Sequence, residues 1–140
     1  MKYAFLFFLA FTFLISCRKE DETPTNKIAG EYKLVQTKSI FTTTGEPIIV
    51  DYSQQNIIYN FSKNNVLTVS GSDNYGYNPG TYPYEFKHDY LSGTPLTDAE
   101  IKIDFVLIGG GSKMLFSSSG NQMKLISSYV DGTDLIFEKK

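Results

Sequence analysis

The sequence predicts an all-β fold, a small eight-stranded antiparallel up-and-down barrel, with a β-sandwich as the alternative architecture. Three observations predict it. Apolar and polar residues alternate through most of the chain after residue 27, which is the two-residue period of a strand with one buried face. The composition favours strands and turns, with 10 Tyr, 11 Phe and 11 Gly. Clusters of Gly, Asn and Pro cut the alternation into short segments, most of them joined by short turns.

The elements follow in order. From Gly30 to Ser39, Tyr32 and Leu34 share one face and Glu31 and Lys33 the other. Gly45-Glu46-Pro47 turns the chain into a short strand, Ile48-Ile49-Val50, and Ile57, Tyr59 and Phe61 then share a face. Lys63-Asn64-Asn65 reads as a hairpin turn because asparagine tolerates positive φ, and Val66-Leu67-Thr68-Val69 returns. Residues 71–80 carry every loop signal. Beyond them Tyr82, Tyr84, Phe86 and His88 alternate with Thr81, Pro83, Glu85 and Lys87. Pro83 cannot donate to a ladder, so this strand begins irregularly or beside a gap.

Residues 91–100 form a second loop, with at most one helical turn at Thr97-Asp98-Ala99-Glu100, because Ile101, Ile103, Phe105 and Leu107 follow at period two. Gly109-Gly110-Gly111 breaks the chain before Met114-Leu115-Phe116. Ser119-Gly120-Asn121 turns it into a strand over 122–128, with Met123 and Leu125 on one side. Asp131-Gly132 leads to the last strand, Leu135-Ile136-Phe137. An eight-stranded barrel drawn from these nine segments is the expected architecture, since closure leaves no exposed edge and can hold one small ligand. The immunoglobulin form of a sandwich has neither its paired cysteines nor its tryptophan here.

The N-terminus reads differently from the rest. Lys2 precedes an uncharged apolar run over residues 3–16, the composition of a secretory signal peptide and too short for a confident membrane span. The only cysteine follows, in Leu14-Ile15-Ser16-Cys17. This resembles the lipobox of bacterial lipoproteins, which implies cleavage before Cys17 and acyl chains on that residue, several chains being needed for stable anchoring. Residues 1–16 are thus expected to be a lipoprotein signal peptide, 17–27 a polar tether and 28–140 the folded domain. Glu20-Asp21-Glu22 resembles an acidic export signal that sends lipoproteins to the outer face of the outer membrane in some Gram-negative lineages. The implied location is the cell envelope, lipid-anchored, in the outer membrane and facing outward.

Several parts of the domain are similar to lipocalin-like bacterial domains. Ile28-Ala29-Gly30-Glu31-Tyr32-Lys33-Leu34-Val35 resembles their opening, with Tyr32 where the family usually has tryptophan. The stretch from Tyr59 to Val69 is similar to their second hairpin, with Asn65 in place of the usual glycine. Gly80-Thr81-Tyr82-Pro83-Tyr84 resembles the next strand, and the run from Asp131 to Lys139 their closing strand. The resemblance implies a barrel with an apolar interior site, no shared catalytic residue and no shared ligand.

Chemistry is sparse. Removal of residues 1–16 takes Lys2 from the 13 basic residues and leaves all 15 acidic ones, too mild a charge for nucleic acid. His88 is the only histidine and Cys17 is taken by lipid, so neither a His/Cys metal site nor a Ser-His-Asp triad is expected. Gly109-Gly110-Gly111-Ser112-Lys113 lacks the spacing and strand-to-helix setting of a phosphate loop and reads as a turn. No catalytic residue, metal or cofactor is expected. The candidate ligand-binding residues are Tyr59, Tyr75, Tyr77, Tyr82, Tyr84 and Phe86, since aromatic faces near a cavity mouth can stack on apolar ligands while hydroxyls stay wet. The expected role is binding of a small apolar or amphipathic ligand, or service as a non-catalytic module of an envelope complex with a filled barrel.

Overall fold

The computed structural model describes residues 27–40, 45–71, 76–95, 97 and 99–140. Residues 1–26, where a leader, the lipid-bearing Cys17 and a tether are expected, and the candidate Tyr75 lie outside the described residues. Nine strands follow one another: β1 (Gly30–Ser39), β2 (Ile48–Asp51), β3 (Ile58–Phe61), β4 (Val66–Ser70), β5 (Gly80–Asp89), β6 (Ile103–Ile108), β7 (Met114–Ser119), β8 (Gln122–Ile126) and β9 (Thr133–Lys139). All pairings are antiparallel, and β1 closes on β9 with a bulge at Val35, between Leu34 and Gln36. The fold is a closed eight-strand barrel with one extra strand, not a sandwich.

The extra strand is β2, and register explains its place. It pairs with the second half of β1, from Gln36 with Asp51 to Ser39 with Ile48, whereas β3 pairs with the first half, from Gly30 with Phe61 to Lys33 with Ile58. Since β9 occupies the opposite edge of β1, β2 and β3 lie in line along the same edge. Two bonds carry the ladder across the break, Tyr52 N donating to Val35 O at 2.8 Å and Leu34 N to Ile57 O at 2.9 Å. One wall position is thus filled by two short strands separated by residues 52–57.

Alternation placed the core correctly on most strands. Tyr32, Leu34, Tyr59, Phe61, Met123, Leu125, Leu135 and Phe137 are buried in one cluster that fills the barrel. Rings meet edge-on at 6.0 Å for Tyr32 and Phe61, 5.2 Å for Phe61 and Tyr84, and 4.9 Å for Tyr59 and Phe137. Each such pair adds about 0.5–1.5 kcal/mol beyond burial. Asn65 adopts φ 61° in the β3–β4 turn, as its residue type suggested. Pro83 sits where β5 changes partner, opposite Val66 of β4 and just before Tyr84 begins the pairing with β6.

β6 departs from the expectation. Val106 and Ile108 face the core, while Phe105 is buried outside that cluster with the Lys113 ammonium 4.8 Å from its ring centroid. Apolar residues stand on both faces of this strand, so period two alone does not select the inner one. Strand 122–128 is also shorter than expected, ending at Ile126 and giving way to a 3-10 turn, Ser128–Val130.

The two ends of the barrel differ in their connections. One carries the entry of the chain at Lys27, the turn after Phe61 and the turn after Ser119. The other carries residues 76–79, 109–113 and 127–132 and forms the mouth.

Candidate functional site

The mouth is built by two turns and a tyrosine. Gly109 and Gly110 both take positive φ, and Gly111 N donates to Ile108 O at 3.0 Å, so residues 109–113 form a strand-to-strand turn, as the sequence suggested. The facing turn is organised by Asp134, whose Oδ1 accepts the main-chain N–H of Ser127 at 2.9 Å and of Ser128 at 2.8 Å. Asp131 reverses the chain at φ 59°. Ser127 Oγ donates to Thr133 O at 2.8 Å, and an added Cβ at Gly132 would lie 2.4 Å from that Oγ. The close approach of this turn to itself therefore requires glycine.

Between these turns lies an open cleft of about 340 Å³. Tyr77, Met114, Val130 and Leu135 supply apolar surface, and Ser112 and Thr133 supply hydroxyls. Tyr77 closes its inner side. Its N–H donates to Tyr59 Oη at 3.0 Å, and its ring lies edge-on to Tyr59 at 6.5 Å and to Tyr82 at 5.3 Å. Tyr82 in turn donates its hydroxyl to Asn78 O at 2.8 Å. Burial, then the neighbouring Tyr82, pushes the Tyr77 phenol above its ordinary value, which keeps it neutral at physiological pH.

The candidate residues therefore divide. Tyr59, Tyr77 and Tyr82 converge beneath the mouth, and among them Tyr77 lines the cleft. Tyr59 itself is 0% exposed and belongs to the packed interior. Tyr84 turns away, its hydroxyl donating to Ser62 O at 2.6 Å at the far end, and Phe86 packs on Phe116 at 5.1 Å. Tyr75 lies outside the described residues. Sequence reasoning missed Met114, Val130 and Thr133 as cleft residues. The Asp131-Gly132 turn signal marked the site, but which loops share a barrel end depends on closure.

Among the described residues, no buried side-chain nitrogen or oxygen lacks a hydrogen-bond partner. The interior thus offers no unmet polar group to a ligand. No group of three or more His, Cys, Asp or Glu side chains suited to a metal occurs among the described residues. His88 is half exposed on β5, its Nδ1 2.7 Å from Asp104 Oδ1, and Asp104 also meets Lys27 Nζ at 3.1 Å.

Comparison with protein-family models, curated proteins and solved structures gives no match. The class is therefore defined by the fold itself, a closed antiparallel β-barrel with a filled core and an open mouth cleft.

Proposed function

We propose that this protein is a non-catalytic, lipocalin-like lipoprotein of the bacterial cell envelope, anchored through Cys17, that takes a small amphipathic ligand at the mouth of its barrel. The observation that carries this reading is a cleft of about 340 Å³ above a filled interior. Its volume is at the small end of the usual range of about 300–1,000 Å³ for small-molecule sites. Apolar Met114, Val130 and Leu135 beside the hydroxyls of Ser112 and Thr133 favour a ligand with both kinds of surface. Lys27, the first described residue, lies at the end opposite the mouth, so an anchor at Cys17 would hold the protein from that end.

Titration of the mature protein with an environment-sensitive hydrophobic dye tests the binding. Saturable uptake is expected, and Val130→Asp, at a position 52% exposed, reduces affinity about tenfold without unfolding the domain. A folded wild type that takes up no dye would refute it. Intact mass of the native protein tests the anchor independently: it should begin at Cys17 and carry acyl chains.

One observation favours a second reading, an interaction module of an envelope complex. Ile48 and Ile49 of β2 are exposed, and Ile48 pairs with Ser39 at the mouth end of β1, across from Thr133. Ile49→Lys separates the two readings: it leaves dye uptake unchanged and weakens only association with an envelope protein.

A further inference from the structure

Tyr77 differs from the tyrosines around it in one respect. Tyr59 Oη accepts the Tyr77 N–H at 3.0 Å, Tyr82 donates its hydroxyl to Asn78 O at 2.8 Å, and Tyr129 donates to Lys113 O at 2.6 Å. No group among the described residues hydrogen-bonds Tyr77 Oη. Its ring is nevertheless held, edge-on to Tyr59 and Tyr82 and tied through its own N–H. An added Cβ at Gly111 would lie 4.0 Å from Tyr77 Oη, which places the phenol oxygen beside the 109–113 turn, next to Ser112 of the cleft lining. Burial keeps the proton on this phenol, so it stands as a fixed donor.

The cleft itself is uncharged. Among the described residues no charged side chain lines it. The charged residues next to its lining in sequence are directed elsewhere. Lys113 Nζ donates to Leu91 O and lies over the Phe105 ring, and Asp131 is exposed on the wall turn. Asp134 and its cross-strand neighbour Lys38 stand on the outer face of the wall, since Thr37 and Leu135 beside them are the buried residues. The main chain of the wall turn offers no anion cradle either. The N–H groups of Ser127 and Ser128 are taken by Asp134, and those of Val130, Asp131 and Gly132 by the carbonyls of Ser127 and Ser128.

We infer that the ligand of the mouth is an uncharged amphiphile whose head carries an acceptor oxygen, and that Tyr77 selects it by donating its phenol hydrogen to that oxygen. The inference rests on the reading of the mouth as a ligand site and names the chemistry which that site accepts. A ligand without oxygen would strip water from the phenol and offer no acceptor in its place. A carboxylate or an ammonium would leave water for a cleft that holds no opposite charge. A hydroxyl, ether or ester oxygen satisfies the donor, with its alkyl part against Met114 and Leu135.

The test uses the mature protein, with octanol, octyl methyl ether, octanoate, octylamine and butylbenzene each competing against the hydrophobic dye near neutral pH. Octanol and the ether, which accepts but cannot donate, are expected to bind about tenfold or more tightly than octanoate and octylamine. Tyr77→Phe keeps the ring and lowers the ratio of octanol to butylbenzene affinity about tenfold. Saturating octanol also shifts the ring-carbon resonance of Tyr77 in the wild type. Absent dye uptake by the folded protein would remove the mouth as a ligand site and this inference with it. Dye uptake together with octanoate or octylamine binding as tightly as octanol would overturn the inference alone, as would an affinity ratio unmoved by Tyr77→Phe. If that variant does not fold, a Tyr77 resonance unmoved by octanol in the wild type overturns it equally.

Discussion

The turn that walls the mouth depends on a single side chain, and Asp134→Ala is the perturbation that exposes this. Its Oδ1 accepts from Ser127 N at 2.9 Å and from Ser128 N at 2.8 Å. A hydrogen bond to a charged group contributes about 1.5–3 kcal/mol when lost from a buried site. Asp134 is only half-buried and Ser128 lies on an outer turn, so water can replace part of the second bond. The loss should therefore fall near the low end, about 2 kcal/mol in total. For a domain of this size that corresponds to a fall in Tm of about 6–12 °C.

Thermal unfolding followed by circular dichroism measures the global effect, and amide exchange at Ser127 and Ser128 measures the local one. Faster exchange with an unchanged Tm would mean that the turn opens without the barrel, which still fits the assigned role but lowers dye affinity. Unchanged exchange together with unchanged Tm would refute the reasoning, since neither N–H would then depend on the carboxylate. Asp134→Asn keeps an acceptor oxygen and should lose about half as much.

Two further predictions concern the fold. Gly132→Ala would place a Cβ 2.7 Å from Ser127 Cβ as well as 2.4 Å from its Oγ, so a loss of about 1–3 kcal/mol is expected in urea unfolding, with reduced dye uptake. Stability should also fall at alkaline pH. Burial raises the phenols of Tyr77, Tyr84 and Tyr32 above the ordinary 10.0, so the unfolded chain loses those protons first. Their contribution is complete below that value and is lost as pH rises through the raised native values, so the urea midpoint should be steady near about pH 8 and drop by about pH 11.

Much of the barrel is legible because a strand's alternation is a local property. Tyr32 and Leu34, Tyr59 and Phe61, and Met123 and Leu125 each sit two residues apart, and each pair turns inward as that spacing implies. Asn65 likewise marks its own turn, since φ 61° is a conformation its side chain tolerates. The candidate site is legible only in part. Tyr59, Tyr77 and Tyr82 were readable as aromatics around a loop, but Tyr84 and Phe86, on the same alternating run as Tyr82, go elsewhere. The tilt of a barrel strand carries successive inward residues from one end of the core to the other.

By itself the sequence determined the strands, most of their inner faces and the turns between neighbours, because each depends on residues a few positions apart. Only the tertiary structure decided that β2 and β3 share one line beside β1, that Val106 outranks Phe105 for the interior, and that Asp134 clamps the wall of the mouth. It also decided that β6 and β7 pair through only two positions, Phe105 with Leu115 and Val106 with Met114. The physical reason is closure: the β1–β9 pairing joins residues from opposite ends of the domain, and the register it imposes settles which distant side chains meet.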